Sequence, residues 1–267
     1  MSSPEAKTDG SPDNYVRQRE PSPKDLLRQR LCDILGADRW IPGMFPTVAP
    51  VSTTEVSRLL KGYSGSVMVV GSGLSFPSDF NPGRDTLIIL MNNLKEHLEI
   101  SKADQTLTVS AGCDIGNVKT ELNKSGIFVG SLDCLKGGTI GGRLASVSSR
   151  PTLSRPCGWV QDLLGVLVVL PSGDAVKLGG RCIKDVAGYD LRHLFTGSRG
   201  SAGVITGAVF RCKPLSVKVV SNVPFDTEQQ NLLAPNGTFG TTQLPVSSYD
   251  ALWRKVFDPF SRMKPGF

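Results

Sequence analysis

Two short stretches carry so much glycine that their side chains cannot build a core. Gly71-Ser72-Gly73 directly follows the apolar run Val67–Val70, and residues 137–142 read GGTIGG. Glycine lets a backbone approach another group closely, and a turn after a buried strand can surround a pyrophosphate with main-chain N–H groups. The turn at residues 71–73 is therefore compatible with a phosphate-bearing ligand, whereas residues 137–142 indicate only that another group lies against their backbone, with a tight structural bend as the alternative.

A third glycine-rich stretch covers residues 184–214. Its glycines are Gly188, Gly197, Gly200, Gly203 and Gly207. The pattern predicts a short helix that Asp190 caps, followed by a buried strand that Gly207 interrupts. Taken alone, it fits a structural helix-turn-strand corner as well as it fits a ligand site.

The positive charge of the chain is concentrated in the same part of the sequence. The formal net charge is +6, and residues 138–213 hold ten Lys or Arg against four Asp or Glu, which is the whole excess. A phosphate-bearing ligand accounts for such a surplus, and so does a solvated basic face. Nucleic acid is not expected as a partner, because the basic residues form no run and do not alternate with aromatic residues.

Several other classes are not expected. The third glycine of a Rossmann turn is missing after Gly73, and Pro77 forbids a helix interior there. The six cysteines form no CxxC pair and there are two histidines, so no metal is expected and the thiols are expected to be reduced. Without a long apolar run or a secretory signal, the sequence predicts a cytoplasmic protein with no transmembrane segment.

The elements that must position these turns follow from caps and periodicity. Ser22 opens a helix that ends at Gly36, and Ser52 caps a second helix with a capping box. The other predicted elements are two strands, two hairpins and one helix, at Val67–Val70, Leu87–Leu90, residues 98–110, residues 165–178 and Ile115–Lys124.

Four segments together resemble one protein family. Residues 184–206 read KDVAGYDLRHLFTGSRGSAGVIT, residues 158–165 read GWVQDLLG, residues 139–142 read TIGG before a helix, and residues 257–266 read FDPFSRMKPG. This set is similar to the FAD-binding region of flavoproteins of the vanillyl-alcohol-oxidase and p-cresol-methylhydroxylase (PCMH) type. The likeness is strongest to the FAD-binding subunits of glycolate oxidase and related 2-hydroxy-acid dehydrogenases.

The resemblance implies an α+β fold, namely a two-subdomain PCMH-type FAD-binding fold with FAD between the subdomains. It divides the chain into a FAD-binding domain at residues 23–214, with subdomains of about 23–126 and 127–214, and a closing region at residues 215–267. That closing region resembles a remnant of the family's cap domain plus its C-terminal segment. Residues 1–22, low in aliphatic side chains, are expected to be a disordered tail.

The cofactor that the resemblance implies is FAD, and it carries a set of contact residues over to this sequence. These are Gly71, Ser72, Gly73, Leu74, Ser75, Gly138, Thr139, Ile140, Gly141, Gly142, Ser146, Gly158, Asp162, Val204 and Ile205. The helix near Arg143 is expected to aim its first N–H groups at the phosphates. Since residues 71–75 contain no histidine, FAD is expected to be non-covalent. Arg150 replaces a glycine of the family, which leaves the details of binding open.

No catalytic residue is assigned. His97 and His193 have no carboxylate partner that the sequence identifies, and the base in relatives comes from the cap domain. Cys134 lies near the position where a few relatives attach flavin through sulfur, but it is expected to be a buried, unreactive thiol.

Three functions stay open. The first is a FAD-binding redox subunit of a glycolate oxidase-like complex, beside a larger catalytic flavoprotein subunit and an iron–sulfur subunit, with a small 2-hydroxy acid as substrate. The second is a stand-alone dehydrogenase with a minimal cap, which predicts bleaching of the flavin by a hydroxy acid in the isolated chain. The third is a cofactor-free scaffold, which predicts a colourless protein.

Overall fold

A computed structural model describes residues 22–74, 82–83, 86–133, 135–146, 162–180, 190–217 and 263–264. The helices are α1 (Pro23–Leu35), α2 (Thr53–Gly62), α3 (Ile115–Lys124), α4 (Gly130–Asp133), α5 (Ile140–Ser146) and α6 (Arg192–Phe195). The strands in the first half are β1 (Trp40–Ile41), β2 (Thr47–Val48), β3 (Val67–Val70), β4 (Leu87–Leu90), β5 (Leu98–Ser101) and β6 (Thr106–Ser110). Those that follow are β7 (Ile127–Phe128), β8 (Leu163–Val169), β9 (Ala175–Gly179), β10 (Val204–Arg211), β11 (Lys213–Pro214) and β12 (Met263–Lys264).

The first sheet has the strand order β1-β2-β4-β3-β12. Its pairs β2–β4, β3–β4 and β3–β12 are parallel, and β1–β2 is antiparallel. Helices α1 and α2 cover it through Leu31, Val56 and Leu59, which are buried with Val67 and Ile89 of the sheet. The strand β12 at the end of the chain therefore completes a sheet that the first ninety residues begin.

The second sheet is antiparallel throughout, in the order β5-β6-β10-β8-β9. Helices α3 and α5 pack on one of its faces, where Val118 and Leu144 are buried with Phe210 of β10. The predicted hairpins at residues 98–110 and 165–178 are both confirmed. The predicted interruption of β10 by Gly207 is a register shift between Ile205 and Gly207 in its pairing with β8.

The two sheets meet along β8 and β10. Val169 and Val204 belong to the second sheet, yet their side chains are buried in the core of the first. The mixture of helices and sheets confirms the expected α+β fold class. The chain changes from one sheet to the other between β4 and β5, earlier than the subdomain boundary predicted near residue 126.

The caps read from the sequence explain where the first helices begin. Ser22 and Asp25 form a capping box at the start of α1, and Ser52 accepts the N–H of Glu55 at the start of α2. The Glu55 side chain does not complete a capping box with Ser52. It is buried instead against Arg39 and the N–H of Val51, because tertiary partners replace the local one.

Within the part of the chain that the structure describes, no helix combines the length and the apolar character needed to cross a membrane.

Candidate functional site

A cleft opens where the two sheets face each other around α5. It holds about 720 Å³ of space that is partly open to solvent. Val69 of the first sheet lies on one side, and Ala111 and Ile205 of the second sheet lie on the other. The structure therefore contains a cleft between the two sheets, and the sequence predicts a ligand between the two subdomains.

The turn after β3 supplies main-chain donors to the cleft. Gly73 has a φ of +77°, a left-handed conformation that side chains with a Cβ adopt only at a cost. No acceptor among the described residues pairs with the N–H groups of Ser72, Gly73 or Leu74. Successive unpaired N–H groups around a left-handed residue can hold an anion.

The second glycine turn lies directly against the first. A Cβ on Gly71 would overlap Oγ1 of Thr139 and lie 3.4 Å from Cα of Gly142. A Cβ on Gly141 would lie 2.7 Å from Cβ of Ala111, at the end of β6. These glycines allow three backbone segments to meet, so the turns predicted from glycine content form one site.

The N-terminus of α5 does not match its prediction. The helix begins at Ile140, and its first N–H groups are bonded within the protein. Ile140 and Gly141 donate to the carbonyls of Cys113 and Ala111, and Gly142 donates to Oγ1 of Thr139. The expectation that these N–H groups point at a phosphate is therefore wrong, because the packing of α5 on the loop after β6 uses them.

Two arginines on the cleft were missed by motif reasoning. Arg143 lies on α5 and Arg199 on the turn before β10, and both line the cleft. None of the described residues that line the cleft is acidic. The excess of Lys and Arg in residues 138–213 indicated that basic side chains could face a ligand, but it did not identify Arg143 and Arg199 individually.

Most of the predicted contact residues line the cleft. They are Gly71, Ser72, Gly73, Leu74, Gly138, Thr139, Gly141, Gly142, Ser146 and Ile205. Ile140 and Val204 do not, since their side chains are fully buried in the two cores. Ser75 and Gly158 lie outside the described residues.

Asp162 does not line the cleft, and its assignment as a contact residue stays a prediction. It is buried at the start of β8, where its Oδ2 accepts the N–H of Ser131 at 2.7 Å. Its main-chain carbonyl accepts the N–H of Arg211 at 2.6 Å, and its Oδ1 lies 4.0 Å from Nζ of Lys213. Asp162 therefore joins α4 to the strands of the second sheet.

The histidines also differ in part from expectation. Nε2 of His193 lies 3.3 Å from Oδ2 of Asp190, so His193 does have a carboxylate neighbour, one that its i,i+3 spacing could have suggested. A hydrogen bond from Arg192 lowers the pKa of this Asp190 carboxyl below its ordinary value. Asp190 also accepts the N–H of Arg192, but α6 begins at Arg192 and its N-cap is Leu191, so Asp190 is not the N-cap that the sequence predicts. Neither His97 nor His193 lines the cleft.

The described cysteines carry no sign of redox or metal chemistry. Cys32, Cys113 and Cys212 are free thiols, and burial raises the pKa of Cys113 and of Cys212, the latter to about 12. Such thiols are poor nucleophiles. Among the described residues, no three His, Cys, Asp or Glu side chains gather into a possible metal site. Cys134 is outside the described residues.

A sequence model of the FAD binding domain family matches residues 46–179, half of the chain. The glycolate oxidase subunit GlcD of Bacillus subtilis is 32% identical over 62% of this chain and 36% of its own length. The mitochondrial D-lactate dehydrogenase [cytochrome] 1 of Saccharomyces cerevisiae is 31% identical over 82% of this chain and 35% of its own length. The chain thus spans little more than a third of these curated relatives.

Solved structures share the fold. The 4-ethylphenol oxidase of Gulosibacter chungangensis superposes with a TM-score of 0.56 at 15% identity, covering 70% of this chain and 42% of that one. A structure of p-cresol methylhydroxylase gives a TM-score of 0.55 at 15% identity over the same shares of the two chains. At this identity the likeness concerns the fold alone, and it confirms the PCMH-type architecture.

Proposed function

Because this chain belongs to the family of FAD-binding domains, we propose that it binds FAD non-covalently in the cleft between its sheets. We further propose that it serves as the flavin-binding part of an oxidoreductase acting on 2-hydroxy acids. The observation that carries the proposal is the convergence of the two glycine turns, residues 71–74 and 137–142, on one cleft.

The cleft suits the charged part of FAD. Its pyrophosphate needs hydrogen-bond donors and positive charge without a competing carboxylate. The N–H groups of Ser72, Gly73 and Leu74 supply the donors, Arg143 and Arg199 supply the charge, and no described lining residue is acidic. A Cβ on Gly138, whose φ is +97°, would lie 3.0 Å from Nε of Arg143. A side chain at this position would therefore narrow the cleft.

The cleft also suits the apolar part of FAD. Val69, Met91, Ala111 and Ile205 present aliphatic and thioether surface beside the glycine turns. A flat aromatic ring system gains free energy by removing such surface from water. No histidine, cysteine or tyrosine is found among the described lining residues, which supports a cofactor held without a covalent bond.

Bound FAD would supply a hydride acceptor for oxidation of the alcohol carbon of the substrate. The residues of this chain bind the cofactor, orient it between the sheets and exclude water from its apolar side. The described lining contains no Asp, Glu, His or Tyr that could take the hydroxyl proton, so we assign no catalytic base to this chain.

The proposed substrate class rests on three relatives with different printed substrates. They are a glycolate oxidase subunit, a D-lactate dehydrogenase and a D-2-hydroxyglutarate dehydrogenase, and all three substrates are 2-hydroxy acids. The first is named a subunit, which supports the proposal that this chain works within a complex. A larger catalytic flavoprotein subunit and an iron–sulfur subunit are the partners that we propose for it. The cytoplasmic location stays a prediction.

The test uses the full chain, with and without added FAD, after desalting. We expect flavin absorption bands in the protein fraction and complete release of the flavin into the supernatant on acid precipitation. Flavin that stays with the precipitate would contradict non-covalent binding, and a protein that stays colourless would contradict the flavin site. Anaerobic addition of glycolate, D-lactate or D-2-hydroxyglutarate then tests the substrate class. If none of them bleaches the flavin, even with the partner subunits present, the proposed activity is wrong.

A further inference from the structure

We infer that Arg143 and Arg199 make this cleft selective for the two phosphates of FAD, against flavins with one phosphate or none. The inference rests on the proposed function. Both arginines line the cleft, Arg143 within α5 and Arg199 on the turn before β10 that is hydrogen-bonded to the end of α5, and no described lining residue is acidic. The N-terminus of α5 does not supply the anion site, because its first N–H groups are already bonded to neighbouring segments, so the charge must come from side chains beside the turn at residues 72–74.

Arg143 is fixed next to both glycine turns. Its Nε donates to the carbonyl of Gly137 at 2.7 Å. A Cβ built on Gly138 would lie 3.0 Å from this Nε and 3.4 Å from Oγ of Ser72, so the guanidinium and the first turn flank the same point. A planar guanidinium in this position can pair with phosphate oxygens that also accept the N–H groups of the turn.

Arg199 occupies a backbone conformation that disfavours it. Its φ is +52°, and only Gln105 shares a positive φ among the described non-glycine residues. Its N–H donates to the carbonyl of Ala145 at 2.9 Å, which pins the turn to the end of α5. Glycine would adopt this conformation at lower cost. A strained residue at a cleft points to a purpose for its side chain.

The Arg199 side chain is exposed. Among the described residues, none forms an ion pair or a side-chain hydrogen bond with it. The neighbouring Ser146 has a buried Oγ that also lacks a hydrogen-bond partner within the part of the chain that the structure describes. An anionic oxygen bound at this end of the cleft would satisfy both groups.

The experiment compares four ligands and four proteins by equilibrium titration. FAD and ADP carry the pyrophosphate, FMN carries one phosphate and riboflavin carries none. The proteins are the wild type, Arg143→Gln, Arg199→Gly and the control Arg58→Gln, which removes an exposed arginine on α2 that does not line the cleft. Arg199→Gly separates binding from folding, since glycine relieves the strained backbone while the charge is lost.

We expect each cleft variant to weaken FAD and ADP by about tenfold or more, FMN less, and riboflavin by no more than about twofold. The melting temperature of Arg199→Gly should equal or exceed that of the wild type, and Arg58→Gln should bind like the wild type. High salt should weaken FAD binding more in the wild type than in the cleft variants.

Other results would overturn the inference. Unchanged affinity for FAD and ADP in both cleft variants would remove the arginines from the phosphate site, and an equal loss for FAD and riboflavin would mean a purely structural role. If riboflavin binds too weakly to measure, the ADP titration replaces it: a loss of ADP affinity in the cleft variants supports the phosphate contact, and an unchanged ADP affinity contradicts it. A wild type that binds ADP but no flavin would refute the proposed function and the selectivity among flavins, while a loss of ADP affinity in the cleft variants would still place the arginines at a pyrophosphate site; binding of neither would refute both.

Discussion

Gly71 lies directly against the second glycine turn, and Gly71→Ala should measure that contact. The new Cβ would overlap Oγ1 of Thr139 and lie 3.4 Å from Cα of Gly142. Thr139 is buried, and its Oγ1 accepts the N–H of Gly142 at 3.3 Å, so it cannot rotate away without losing that bond. Overpacking of this kind costs about 1–3 kcal/mol. For a domain of this size, the melting temperature should fall by about 2–4 °C for each kcal/mol.

A double-mutant cycle identifies the contact. Thr139→Ala removes the overlapped oxygen and should cost about 1 kcal/mol by itself, for the lost hydrogen bond. In the double variant the two costs should not add, and a coupling energy of about 1–2 kcal/mol should appear in urea denaturation. Affinity for FAD should fall in Gly71→Ala and recover in the double variant, because the separation of the two turns recovers.

Gly73→Ala is the matched control. No atom of the described residues lies within 4 Å of the position of its Cβ, so we expect the cost to come from the left-handed backbone, about 1 kcal/mol, and Thr139→Ala should not reduce it. A Gly71→Ala protein as stable as the wild type, or a double variant whose loss equals the sum of the single losses, would refute this account of how the turns meet.

Three further predictions concern residues outside the lining of the cleft. Burial raises the pKa of Cys212 to about 12, above the value near 9.0 of a free thiol, so its contribution to stability is complete below about pH 9 and is lost as the pH rises. Cys212→Ala should therefore flatten the alkaline fall of the melting temperature, and an unchanged slope would speak against a buried thiol. Arg192 lowers the pKa of Asp190, so this carboxylate stabilises the fold above its ordinary pKa and the gain is lost as the pH falls. Asp190→Asn should lower the melting temperature at neutral pH but not in strong acid, whereas an equal loss at both would rule out a charge effect. Nζ of Lys119 donates to two main-chain carbonyls, 2.9 and 2.7 Å away, in the segment before residues 137–142. Lys119→Met should lower the free energy of unfolding by about 1–3 kcal/mol and weaken FAD binding. Unchanged affinity for FAD would show that these two hydrogen bonds do not affect the cleft.

The glycine turns could be predicted because their sequence carries the constraint. A buried strand followed by Gly71-Ser72-Gly73, and four glycines within residues 137–142, leave few structures other than a close approach of backbones. The hairpins could be predicted for a similar reason, since alternating strands and turn residues fix their register locally. Both features depend on neighbours in the sequence.

The residues that could not be placed depend on tertiary structure. Ile140 and Val204 are next in sequence to Gly141 and Ile205, which line the cleft, but adjacent residues on a helix or strand face different sides and these two point into the cores. The use of the first N–H groups of α5 depends on the carbonyl of Ala111, from a distant part of the chain. Arg199 gives no local sign of its positive φ, because arginine is common at ordinary surfaces.

The central claim is that FAD occupies the cleft between the two sheets. The most direct measurement is an equilibrium titration of FAD into the full chain, alongside Ser72→Glu and Ser216→Glu. Ser72 lines the cleft beside its free N–H groups, and Ser216 is an exposed serine outside it. The account predicts one saturable site in the wild type and in Ser216→Glu, and a loss of about tenfold or more in Ser72→Glu, where a carboxylate would repel the pyrophosphate. Equal binding by Ser72→Glu and the wild type, or no binding by any of the three, would contradict it.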